Sequence, residues 1–305
     1  MTDPTPIPLP DSPRRRPSAD RARRRALGPA LVAHFAKSLD KVETALAETD
    51  DTRMVHDARK AIKEYRALLR LLDGAGPRAA RRAAAEAARQ LSAARDRQAC
   101  RDALADLSGA GDLDSDLATA VVTDLGEDAP AQSDRPHHAA ILRDWLTGAR
   151  ARHAEGLDAA ARAADVMAGL QKGYAKARKA DDFSTAERVH DLRKRVITHR
   201  YQMSFVSALT GGPGKRRAGR AQALRDILGA YQDIETLRAG LPGMAADGDR
   251  GDAVRRAAAA RQETLATLAR RKHARLFHRK PKAFAARLAR KLAKAPLRRP
   301  DAAAG

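Results

Sequence analysis

V-H-D-A-R-K-A-I-K-E-Y-R-A-L-L-R-L-L, residues 55–72, decides how the rest of the chain is read. At steps of three and four, Val55, Ala58, Ile62, Tyr65, Leu69 and Leu72 fall on one face of a 3.6-residue helix, an apolar seam for a core. One position round, the same steps give His56, Arg59, Lys63, Arg66 and Arg70. A cationic line therefore runs directly beside the core-facing one, with no neutral strip between them. A solvated helix scatters both signs over its outer face, commonly as Glu–Lys pairs four apart. Here the acids are Asp57 and Glu64, and neither lies on the basic line. The stripe suits an anion.

The pattern then recurs. Residues 189–206 read V-H-D-L-R-K-R-V-I-T-H-R-Y-Q-M-S-F-V, and Val189, Leu192, Val196, His199, Met203 and Val206 repeat the seam. His190, Arg193 and Arg200 repeat the basic line, while Ile197 stands in the position of Lys63. An offset of 134 carries His56, Arg59, Lys60 and Arg66 onto His190, Arg193, Lys194 and Arg200. Chance supplies one V-H-D-x-R-K. Two of them, each opening the same striped helix, imply a duplicated unit.

Composition sets the partners. The 305 residues hold 59 Lys and Arg against 38 acids, a formal charge of +21. So basic a chain attracts polyanions: nucleic acid, polyphosphate or anionic membrane. Aromatics are only 3% of the residues, which argues against base stacking as the main grip. The lone Cys100 excludes an internal disulfide and a cysteine cluster for zinc. Ala- and Leu-rich segments with few β-branched runs predict an all-α chain. No run of about 18 apolar residues occurs, so no membrane partner is expected and a cytoplasmic location follows by default.

Along the chain, residues 1–26 are Pro- and Arg-rich and read as a disordered basic tail. A helix over 28–48 carries Leu31, Phe35, Leu39, Val42 and Leu46 on one face, and T-D-D-T at 49–52 breaks and caps. After Gly74–Pro77, one long helix over 78–107 contributes Arg78, Arg82 and Arg89. Residues 108–135 form an acidic loop with a short helix near 115–125. Its alternating Asp112, Asp114 and Asp116 lack the Gly and Glu of a calcium loop, because Leu117 and Thr123 stand there. A helix of 137–165 closes the first half. The second opens near 166, has its striped helix over 184–209, and breaks at G-G-P-G. Lys215, Arg216, Arg217 and Arg220 begin the next helix, which carries L-G-A-Y-Q-D (228–233), an echo of L-S-A-A-R-D (91–96). A helix over 250–274 and a last basic amphipathic one follow. The organisation is two similar four-helix bundles, 28–165 and 166–296, within a unit of 27–296, with a tail at 297–305.

V-H-D-x-R-K opening a basic helix, followed by L-(S/G)-A-x-(R/Q)-D and then repeated, resembles the CHAD domain, the conserved histidine α-helical domain. The resemblance covers about 28–295. It implies two pseudo-symmetric four-helix bundles around a basic central cavity, binding of inorganic polyphosphate, and association with polyphosphate granules. The positions it carries over are His56, Arg59, Lys63 and Arg66, then His190, Arg193, Lys194 and Arg200. Two departures, Ile197 for Lys63 and Gln232 for Arg95, imply fewer ligand contacts in the second half.

Physical chemistry agrees with that implication. A flexible chain of negative charge without bases needs a long basic surface and no stacking groups. Arginine offers a planar fork for two phosphate oxygens, and lysine a movable point charge. Lys60 and Lys194 flank the lines, and Lys215, Arg216, Arg217 and Arg220 either line the same cavity or decorate a helix start. His56 and His190, read at the N-terminal turns of their helices, are phosphate donors or hydrogen-bond partners of a neighbouring helix; the adjacent arginines favour the first. Asp57 and Asp191 read as capping or arginine-orienting groups, and His199, on the seam, as a core histidine with a partner. H-D pairs invite comparison with metal-dependent phosphohydrolases, but a basic neighbourhood is a poor cation site, and no P-loop or nucleophile motif occurs. A binding module without cofactor or metal is expected, with nonspecific nucleic-acid binding as the alternative.

Overall fold

The computed structural model describes residues 19–91, 96–124, 134–210, 212, 214–240 and 248–294, and every element among them is a helix. α1 (Ala19–Leu46) begins earlier than the sequence predicts, so residues 19–26, read as tail, belong to it, while the rest of that tail lies outside the described residues. Leu31, Phe35, Leu39 and Val42 are all buried on its predicted face. α2 (Asp51–Leu69) starts where Asp50 accepts the Arg53 N–H at 2.7 Å, the side-chain cap that a free helix end requires. Both seams are core: Ala58, Ile62, Tyr65 and Leu69 in α2, and Val189, Leu192, Val196, His199 and Met203 in α9 (Ala186–Thr210), are buried.

The single helix expected over 78–107 is two, α3 (Ala75–Gln90) and α4 (Asp96–Gly109). Residues 108–135 hold α5 (Ser115–Asp124), close to its prediction. Asp114 accepts the N–H groups of Asp116 and Leu117, so the alternating acids begin a helix here. The helix expected over 137–165 is also interrupted. α6 (Arg135–Arg152) runs into a wider turn at residues 153–157 and then α7 (Asp158–Ala163). Gly156 takes φ +125° at that kink, a backbone state that glycine enters without a Cβ penalty. His153 at the kink donates Nδ1–H to Asp158 at 2.7 Å, and its Nε2 meets the buried Tyr65 hydroxyl at 2.9 Å.

α8 (Val166–Lys179), capped by Asp165, leads to α9; α10 (Lys215–Gly240), α11 (Asp249–Leu276) and α12 (Pro281–Lys294) complete the chain. The core does not divide near residue 165. One buried apolar cluster is continuous from Leu27 on α1 to Leu292 on α12, joined where α2 packs on α9. A smaller cluster sets α4 and α5 against α10 and α11, with Leu104 and Leu107 among Ile234, Leu237 and Val254. No helix among the described residues is long and apolar enough to cross a membrane.

Candidate anion-binding site

The two striped helices lie against one another. Tyr201 donates its hydroxyl to the Lys60 carbonyl at 3.4 Å, and Gln202 donates Nε2–H to the Ala67 carbonyl at 3.1 Å. Arg195, on α9, lies close enough to Arg70, just past the end of α2, for their charges to interact.

This crossing gathers arginines. Burial, and then the charge of Arg70, lowers the pKa of Arg66. Partial burial, and then Arg195, lowers that of Arg70. Arg81, on α3, is lowered by burial and by Arg70, Arg78 and Arg82, with Asp73 the acid opposing them. Its Nη1 is fixed by the Leu69 carbonyl at the end of α2, 3.0 Å away. Arg195 keeps a buried Nε without a hydrogen-bond partner. Arg66 and Arg195 are part-buried while Arg70 is exposed, and like charges crowded at the crossing repel one another.

The predicted residues divide around this cluster. Arg66 and Arg70 belong to it, with Arg82 exposed at its edge. Lys63 is half-buried on the same helix; Lys60 and His56 are exposed. Arg59 has an architectural task, since its Nη1 donates at 2.9 Å to the carbonyl of Leu91, the residue closing α3. Arg89 pairs with Glu86 one turn away on an exposed face. On α9, Lys194 pairs with Asp191 at 3.3 Å, and Arg200 lies over the Tyr201 ring at 4.7 Å. Arg193 rests against α10 at Gly229, the small residue of L-G-A-Y-Q-D.

His190 is tied to a neighbouring helix. Its Nδ1 meets Gln232 Oε1 at 2.6 Å, so the V-H-D motif of α9 is bonded to the Q-D motif of α10. Neither histidine of the two motifs lies in a first turn. α2 begins at Asp51 and α9 at Ala186, which puts His56 and His190 beyond the free N–H groups of the helix ends. For the same reason Asp57 and Asp191 cap nothing; Asp50 caps α2.

Lys215, Arg216, Arg217 and Arg220 lie elsewhere, at the start of α10. The last three face α12 across a pocket to which neither α2 nor α9 contributes. The sequence reading missed Arg81 and Arg195. Arg195 aligns with Ala61 in the first copy, so comparing the repeats hides it. The run of three cations at 193–195 was the available signal.

In comparison with protein families, residues 30–242 fit the family model of the CHAD domain. No curated protein and no solved structure matches the chain.

Proposed function

The chain belongs to the CHAD domain family, and from that premise we propose that it binds inorganic polyphosphate at the α2–α9 crossing. The observation that carries this is the group Arg66, Arg70, Arg81 and Arg195, brought together from three helices with Asp73 the acid set against it. Guanidinium groups offer forks of donors and no acceptor, so the site suits gripping phosphate oxygens rather than transferring protons. We read the protein as a binding module, not an enzyme. A basic groove shared by two duplicated halves is part of this proposal; the hydrogen-bonded crossing of the two striped helices supports it. Association with cytoplasmic polyphosphate granules is part of it too, because a protein that grips the polymer accumulates where the polymer is.

The test is a titration of long-chain polyphosphate against single-stranded DNA of equal total charge, at two salt concentrations, with Arg66→Gln/Arg70→Gln alongside. A preference for polyphosphate that survives the higher salt and is lost in the double variant supports the site. Equal binding of both polymers, indifferent to the substitutions, would favour nonspecific nucleic-acid binding by charge alone.

A further inference from the structure

Between the start of α10 and α12 lies a cavity of about 160 Å³ whose lining holds seven basic side chains and no carboxylate. Arg216, Arg217 and Arg220 come from α10, Arg279 from the link before α12, and Arg287 and Lys291 from α12 itself. His278 is the seventh. Its Nδ1 donates to the Arg275 carbonyl at 3.0 Å, which leaves Nε2 as its second ring nitrogen. The link and α12 lie beyond the segment that fits the family model, and the pocket shares no residue with the α2–α9 cluster.

The floor is prebuilt. Tyr174 and Phe284 stack at 4.0 Å with their rings 10° apart, and the Arg217 guanidinium sits over both, 5.2 and 4.8 Å from their centroids. Arg217 Nη2 is held by the Leu276 carbonyl at 2.7 Å, and the Tyr174 hydroxyl by the Arg279 carbonyl at 3.1 Å. The central cation therefore cannot swing away to relieve its neighbours. Burial lowers its pKa most, Tyr174 opposes that, and Arg220 and Arg279 lower it further. A fixed central cation ringed by further basic side chains is preorganised for an anion.

We propose that this pocket is a second anion site, specific for a compact, multiply charged phosphate of the size of pyrophosphate. Several converging cations call for more than one negative charge, and guanidinium forks match paired phosphate oxygens. A half-open cleft of this size, with Phe284 and Leu288 in its wall, suits a short anion; a long polymer needs a longer track.

The test uses the full chain and pyrophosphate as the probe, by calorimetric titration. Arg220→Gln/Arg287→Gln removes two exposed lining cations and leaves the Arg217 floor intact; thermal unfolding verifies that it folds. One pyrophosphate per chain is expected, with affinity weakened at least about tenfold in this variant and changed by less than about threefold in Arg66→Gln/Arg70→Gln. Absence of pyrophosphate binding, or binding that only the second pair weakens, overturns the proposal. Polymer binding reports on the α2–α9 site by itself, so the two readings fail separately.

Discussion

Arg217 gives its Nε–H to Nε2 of His199, 3.3 Å away, and so ties the start of α10 to the buried seam of α9. His199 is 1% exposed and ringed by Tyr174, Phe277 and Phe284. Because Nε2 accepts from a cation, the ring is neutral and Nδ1 carries the hydrogen, buried without a partner. Burial, and then Arg217, pushes the pKa down to about 3.

This fixes a pH dependence. Unfolded, the ring titrates near 6.5. Between that value and about 3 the unfolded chain binds one proton more at His199 than the folded chain, so stability falls as pH drops through this window. The contribution is complete above about pH 6.5 and declines by up to about 1.4 kcal/mol per unit below it. His199→Gln keeps an acceptor for Arg217 and cannot titrate. Urea unfolding from pH 7.5 to 4.5 should give it a shallower decline than the parent; parallel declines would refute the assignment. His34 and His273, also lowered by burial, act in both proteins and cancel in the comparison.

The His190–Gln232 bond joins the two motif segments of the second half. His190→Ala and Gln232→Ala should each cost about 1 kcal/mol, and the double variant less than their sum. Additive losses in a double-mutant cycle would mean that the 2.6 Å contact contributes nothing to stability.

Much of this was legible in the sequence, and the failures have physical causes. The seams of α2 and α9 were readable because burial imposes a 3.6-residue period on residue type. Two long helices were read without their interruptions. One breaks at Gly156, an isolated glycine that a helical pattern tolerates on paper. The core asymmetry of the repeat was not readable. Tyr65 and His199 occupy matching positions, and each meets a ring of the other type at a centroid distance of 5.7 Å: Tyr65 with His153, and His199 with Tyr174. The partners come from α8 in one half and from the turn after α6 in the other, so no local pattern announces them. Charge in the sequence pointed to basic faces on α2 and α9. It could not say that Arg59 would hold the end of α3, or that Arg216, Arg217 and Arg220 would face α12.

The arginine crossing predicts an inverse relation between stability and binding. Arg195→Gln removes one charge facing Arg70, so the apo protein should melt at a higher temperature in low salt, with the gain fading as salt screens the remaining cluster. The same variant should bind polyphosphate more weakly, its salt slope reduced by roughly 0.7 for one lost phosphate contact, by analogy with single-stranded nucleic acid. A destabilised variant with an unchanged slope would assign Arg195 to packing instead.

The frame behind the cluster depends on a close approach of α8 to the end of α2. Gly169 is buried, and a Cβ built there falls well inside van der Waals contact with the Leu71 carbonyl, carbon and oxygen. Those are backbone atoms one residue after Arg70, so relief requires one helix to move. Gly169→Ala should therefore destabilise by about 1–3 kcal/mol in urea unfolding. Gly76, in the first turn of α3, has nothing within 4 Å of an added Cβ. Gly76→Ala should leave the chain as stable or gain about 0.4–1 kcal/mol through the unfolded state. If both alanines behave alike, the separation of α8 from α2 does not constrain the site. If only Gly169→Ala loses stability and also weakens polyphosphate binding, the placement of Arg70 depends on that contact.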